Sequence, residues 1–319
     1  MKQLYLLLLA LLILLILPLP GRAQTSETTA AAPDTVQGWR RGGVGTLNLS
    51  QVSLTNWAPG GQSSVSVLAI GNAFAHHRRG DNTFDTSLDL LYGTLKSGKA
   101  RMRKNDDKLE FNAKYGHQFT KVLYYAAQVN VKTQLTPTKA INRPDSLLSG
   151  FFSPAFILAS IGIDYKPNDQ LSVFLSPITG KFTVVANQGL ADAGAFGVKA
   201  ARRGPDGRPV AGTGQQFRKE LGAYLNVKYR KPLWENVVFQ TKLDLFSNYL
   251  HHPQNIDVNW ENLISFKVNK FISSSIATTL VYDDDVLVPL DGNGDGVPDG
   301  RGRRIQFKET LGIGLTYKF

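Results

Sequence analysis

A period of two runs through this chain from Gly42 to its last residue. In IQFKETLGIGLTYKF (305–319), Ile305, Phe307, Leu311, Ile313, Leu315, Tyr317 and Phe319 fall on one side, with one intruder, Glu309. Gln306, Lys308, Thr310, Gly312, Gly314, Thr316 and Lys318 fall on the other. An extended strand reads this way when its two faces meet different surroundings. LYYAAQVNVKTQL (123–135) and AFILASIGIDYK (155–166) repeat the pattern, as do FRKELGAYLNVKY (217–229) and IDVNWENLISFKV (256–268). Twelve segments qualify: about 42–53, 62–78, 82–96, 107–119, 122–135, 154–166, 170–182, 215–230, 236–250, 255–268, 271–284 and 305–319. The first, second and seventh alternate less cleanly, and no helical period competes.

The connections carry a second signal. Every other one is a tight turn: Arg79-Gly80-Asp81, Thr120-Lys121, Pro167-Asn168-Asp169, Lys231 to Glu235, Asn269-Lys270. Those between are mostly long, above all 136–153, 183–214 and 285–304. A soluble sandwich has no reason to sort its loops, whereas a transmembrane barrel has short turns at one end and longer loops at the other. Aromatics gather at both strand ends on the apolar face, for example Phe84, Tyr125, Tyr165 and Tyr317 near the short turns, and Phe217, Tyr249, Trp260 and Phe307 near the long loops. Two such bands match two membrane–water interfaces. In lipid every backbone group pairs within the protein, so the sheet must close on itself. The expected fold is all-β: a single antiparallel transmembrane β-barrel of about twelve strands over 42–319.

The first residues read as an address. Lys2 precedes an apolar run from Leu4 to Leu17, followed by Pro18, Pro20 and Gly21-Arg22-Ala23. That is the layout of a secretory signal over residues 1–23. Residues 24–41 read as a flexible leader, small and polar through Gln37. The chain of 319 residues has no Cys, so a disulfide framework is excluded. Its formal charge of +11 raises a nucleic-acid reading. The basic residues are dispersed over strands and turns, and no nucleic-acid motif is present, so no nucleic acid is expected as a partner.

Several stretches resemble an uncharacterised family of Bacteroidetes outer-membrane β-barrel proteins, grouped as a domain of unknown function. They are LNLSQVSLTNWAPGG (47–61), LSPITGKFTVV with GAFGV (175–185 and 194–198), and NWENLISFKVNKFISSSIATTLVYDDDV (259–286), which leads toward the closing strand QFKETLGIGLTYKF. The resemblance implies a barrel in the outer membrane and implies no activity. The terminal pair Tyr317 and Phe319 also resembles the C-terminal signal read by the barrel-insertion machinery of Gram-negative bacteria. The expected placement puts short turns and both termini in the periplasm and long loops outside. Outer-membrane lipid and the insertion machinery are the expected partners; no protein partner can be named from the residues.

Three constellations could carry chemistry. In DGNGDGVPDG (291–300), Asp291, Asn293 and Asp295 alternate before Gly296, and the Val297 carbonyl and Asp299 follow. These are oxygen donors at the first five odd positions of a calcium loop, without the closing bidentate Glu, so the expectation is a weak extracellular Ca²⁺ site or a plain acidic turn. No other cofactor is expected. His251 and His252, with Asp283, Asp284 and Asp285, stand at the long-loop ends of the ninth and eleventh strands. A carboxylate-oriented imidazole could activate water there; solvated rim charge is the competing reading. The polar face supplies a set of lumen-facing residues: Glu110, Lys114, Lys132, Asp164, Arg218, Glu220, Lys242, Asp244, Asp257, Glu261 and Lys308, with Asp85, Asp89, Lys228 and Lys267. Mixed signs suit either a narrow aqueous path or a self-paired plug. The resulting expectation is a channel or facilitator for small polar solutes. The alternatives are a structural or accessory barrel acting through its loops and, third, a rim hydrolase.

Overall fold

A computed structural model describes residues 37–54, 62–140, 145–290, 292 and 299–319. Its strands in chain order are β1 (Gly38–Val52), β2 (Ser64–Arg79), β3 (Asn82–Ser97), β4 (Arg103–Gln118), β5 (Leu123–Thr133), β6 (Thr138–Lys139), β7 (Leu147–Ser149), β8 (Ala155–Asn168), β9 (Leu171–Val184), β10 (Phe217–Trp234), β11 (Val237–Asn248), β12 (Ile256–Lys267), β13 (Ile272–Tyr282), β14 (Val288–Leu290), β15 (Gly300–Gly302) and β16 (Gln306–Lys318). Twelve of them close into one antiparallel barrel in the order β1-β16-β13-β12-β11-β10-β9-β8-β5-β4-β3-β2. β6–β7 and β14–β15 are small hairpins inside two of the long connections. The expected twelve-stranded barrel is therefore the fold. Its first strand begins at Gly38, four residues before the expected 42, because the β1–β2 ladder runs down to Gly38 opposite Arg78. Trp39 anchors that extension, its ring 4.7 Å from His77.

Alternation decides which side chains face out. Leu311, Ile313, Leu315 and Tyr317 are each more than 60% exposed, as are Leu49, Ile161 and Ile178 elsewhere on the wall. The residues between them point inward and are polar or small. A folded protein in water does not leave so continuous an apolar surface on its outside while burying Glu110, Lys114 and Asp164 within. Lipid as the outer solvent removes the contradiction.

β9 explains why its segment alternates poorly. Phe174 is fully buried and its neighbour Leu175 is 55% exposed, so even positions face inward up to Ser176. The pairing with β8 then jumps, from Ile163 opposite Leu175 to Ile161 opposite Ile178. Pro177 sits at this bulge, where its missing N–H costs no ladder bond. Beyond it odd positions face inward, so Thr179, Lys181 and Thr183 are buried while Ile178 is exposed. Gly162 and Gly222 flank the bulge. A Cβ on Gly162 would lie 2.0 Å from the Leu175 carbonyl oxygen, and one on Gly222 1.9 Å from that of Ser247. Only glycine lets the strands approach this closely.

The barrel closes between β1 and β16. Val44 to Asn48 stand opposite Lys318 to Gly314, and Gly43 and Phe319 exchange backbone bonds of 3.0 and 3.1 Å just below. The Thr46 and Thr316 hydroxyls meet at 3.0 Å across that seam.

Candidate functional site: the ion-paired lumen

Strands on opposite walls carry charges long enough to meet. Lys108 on β4 and Glu261 on β12 bond at 3.1 and 3.2 Å. Lys242 on β11 reaches Glu110 on β4 at 2.6 Å, and Lys132 on β5 lies 3.9 Å from Glu261. Asp244 lies 3.6 Å from Lys242 and accepts bonds from Tyr224 and Asn226. In this belt three lysines face three carboxylates.

Nearer the short turns, Lys114 bonds Asp164 at 2.8 Å, and Lys166 joins Asp164 to Asp85, which also meets His76 at 2.9 Å. Toward the long loops, Lys181 contacts Asp257 at 2.5 Å, Asp283 at 3.6 Å and Glu220 at 3.7 Å. Arg218 bonds Glu220 at 2.8 Å and also Asp285. Lys308 on β16 bonds Asp106 on β4. Each of the eleven residues of the expected lumen set thus makes an ion pair, and the pairs fall into separate groups: the belt, the Lys114–Asp164 group, the Lys181–Arg218 group and Lys308 with Asp106.

The bridges divide the interior. They run as a chord from β4 to β11 and β12. On one side lie β5, β8, β9 and β10, whose inward side chains are packed: Phe174, Tyr224 and Ala126 form an apolar cluster with Phe246 of β11 and Leu158. Burying a ring such as Phe174 stabilises by about 1.5–3 kcal/mol. The Lys114 and Lys181 ammonium groups lie 5.0 Å from the Phe174 and Phe246 rings, respectively. On the other side lie β13, β16, β1, β2 and β3. No described residue of β12, β13 or β16 is fully buried, although half of each strand points inward. Their inward residues include Ser275, Ala277, Thr279, Thr310 and Gly312, paired across β13 and β16. The lumen is packed on one side; on the other, the small side chains of β13 and β16 share the wall with Leu68, Asn72 and Phe74 of β2 and Asp89 of β3.

Some partners were not singled out from the sequence. Lys108 and Lys166 share the parity of Glu110 and Asp164, so alternation could have found them. Lys181 could not be found this way: counting by two from Leu175 places it outside, and the bulge at Pro177 reverses that.

Above the filled side, residues 185–216 form a small body. A helix, Gln188–Asp192, is capped by Asn187, whose side-chain oxygen accepts from the Leu190 N–H at 3.1 Å. Val185, Leu190, Ala191 and Val198 make a core with Leu147, Ala195 and Phe196. The Asp192 carboxylate accepts from the N–H groups of Gly212 and Gly214, each at 2.8 Å, and from Gln188 at 2.9 Å. The Gly212 N–H, then Gln188 and Gly214, hold its pKa below the ordinary carboxylate value. Between this body and the barrel lies a pocket of about 400 Å³ lined by Gly197, Arg218, Glu220, Asn248, His251 and Asp285 among others.

The rim candidates do not assemble into a dyad. His251 and His252 stack edge to face on each other at 4.5 Å. Asp283 faces Lys181, Asp284 accepts from Asn255 at 2.7 Å and lies 3.3 Å from Arg303, and Asp285 holds Arg218. Asp291, Asn293, Asp295 and Val297 lie outside the described residues; Asp299 accepts from the Gly292 N–H at 3.0 Å. Tyr317 and Phe319 are both exposed on the outer wall at the short-turn end, their rings 6.4 Å apart.

A family model described as "Protein of unknown function (DUF3078)" matches residues 49–138. That segment takes in most of the 47–61 stretch and runs past β5; the stretches at 175–198 and 259–286 lie outside it. No match to this chain is found among curated proteins. Among solved structures, the chain is similar to an outer membrane channel from Pseudomonas putida F1, with TM-score 0.41, 11% identity, and coverage of 92% of this chain and 100% of that one. It is also similar to the translocator domain of the autotransporter NalP from Neisseria meningitidis, with TM-score 0.34, 10% identity and 90% of each chain covered. For the NanC porin the TM-score is 0.37 and the identity 7%, over 86% of this chain and 98% of that one. The barrel assignment itself rests on the strand pairing described above.

Proposed function

We propose that this protein is an outer-membrane β-barrel that passes small polar solutes along the less filled side of its lumen. One observation carries the reading: the cross-lumen bridges keep accessible surface on every partner but Glu110. The side chains of Lys108, Lys132, Lys242 and Glu261 keep 22 to 32% of their surface accessible. Groups that served only to plug the barrel would be buried throughout, as Phe174 is. A twelve-stranded barrel is wider than the eight-stranded kind that side chains fill, and narrower than an open porin. The packed half reduces it further, so the solutes are small. In this reading the short turns and the strand ends near them face the periplasm, the long loops face outside, and Tyr317 and Phe319 serve the insertion machinery.

Single-channel recording of the purified protein in planar bilayers tests the proposal. Small, reproducible conductance steps are expected. Their absence across repeated reconstitutions sinks conduction. It would favour the second reading, an accessory barrel acting through its loops, which the ordered body over residues 185–216 supports.

A further inference from the structure

We propose that the passage selects small cations over anions, and that Asp89 sets this selectivity. The inference rests on the conduction reading above and adds to it the class of solute.

The lumen charges do not cancel evenly along its length. In the belt, Lys108, Lys132 and Lys242 balance Glu110, Glu261 and Asp244. At the long-loop end, Lys181 and Arg218 serve four carboxylates, those of Glu220, Asp257, Asp283 and Asp285. That mouth keeps two negative charges in excess. The Glu220 side chain is 2% exposed, and its Oε2 lacks a hydrogen-bond partner among the described residues.

Beside the belt, Asp89 is the decisive group. It lies on β3, across the chord from the Phe174 cluster, in register with Glu110. Its carboxylate accepts from Asn72 Nδ2 at 2.6 Å and, among the described residues, makes no ion pair. At the height of the belt, Lys228 is the lumen cation without an ion pair among the described residues; Lys267, also without one, stands nearer the short turns at the end of β12. Lys228 stands on β10, in register with Lys242 and on the packed side of the bridges. At that height the chord separates the two unpaired charges: the negative one faces the passage and the positive one does not. A solute entering from the long loops on the open side meets an acidic mouth and then, at the height of the belt, one carboxylate. In a narrow, low-dielectric tube, fixed charge of one sign attracts counter-ions and repels co-ions.

The test is the reversal potential of the reconstituted barrel under a potassium chloride gradient. The native protein should show a cation-selective potential. Asp89→Asn should move it toward zero, Asp89→Glu should retain it, and Lys228→Gln should leave it unchanged. A zero or anion-selective native potential overturns the proposal, as does an Asp89→Asn barrel with native selectivity. A shift on Lys228→Gln as large as that on Asp89→Asn also overturns it, because the chord would not separate the two groups. These failures leave conduction standing. Absence of any conductance fails the reading beneath.

Discussion

Lys108 and Glu261 stand on β4 and β12, six places apart in a ring of twelve, yet the lysine Nζ lies 3.1 Å from the carboxylate Oε2. No two strands of this barrel are farther apart. The contact is a bar across the diameter, and it leans on Glu110, 3.5 Å from the same lysine. What passes through must pass beside it.

Cutting the bar should widen the path. In Lys108→Ala with Glu261→Ala, both long side chains vanish and neither charge is left unpaired by the loss of the other. Unit conductance should rise well above the native value. Conductance equal to the native barrel would place the constriction elsewhere.

Glu110 anchors more than one bridge. It takes Lys242 at 2.6 Å and Asn130 at 2.8 Å, and its side chain is 4% exposed. Glu110→Ala takes the nearer partner from Lys242 and one partner each from Lys108 and Asn130 in the interior. Breaking a buried pair from one side costs about 3–5 kcal/mol. Denaturant unfolding of the barrel in lipid vesicles should show a loss of that order, and a change within about 0.5 kcal/mol would count Glu110 as a surface-like site.

Much of this was legible in the residues because a barrel in lipid allows few departures from alternation. β16 reads directly: Leu311, Ile313 and Leu315 out, Thr310, Gly312 and Gly314 in. The partners were not legible. Alternation places Glu261 and Lys108 inside but does not say that they meet, since that depends on which strands face each other around the ring. β9 misled for a physical reason, the bulge at Pro177, which hides Lys181. The packed half of the lumen was also invisible: Phe174, Tyr224 and Phe246 occupy inward positions where polar residues were expected.

The outer face gives a depth-dependent prediction. Leu311 is 71% exposed at the middle of the closing strand. Leu311→Arg places a charge against hydrocarbon and should destabilise the inserted barrel by about 2–4 kcal/mol. Thr310→Arg, one residue away and inward, should cost much less. Equal effects would mean the two faces meet the same solvent.

Asp192 makes the 185–216 body pH-sensitive. Its pKa in the fold is lowered by the Gly212 and Gly214 N–H groups and Gln188. A depressed carboxylate contributes stability that is full above its unfolded value, near 3.9, and is lost as pH falls through the folded value. Proteolytic cleavage within 199–213 should therefore quicken below about pH 4 while the strands stay intact. Asp192→Asn should show fast cleavage already at neutral pH. A pH-independent rate, with Asp192→Asn behaving as native, would contradict the clamp.

The central claim is that lipid covers the apolar wall. The direct measurement is to fold the chain from denaturant with and without lipid vesicles, following far-ultraviolet circular dichroism and protease resistance. The account predicts strand signal and a protected core only when the bilayer is present. A monodisperse, protease-resistant β-protein in plain buffer would contradict it.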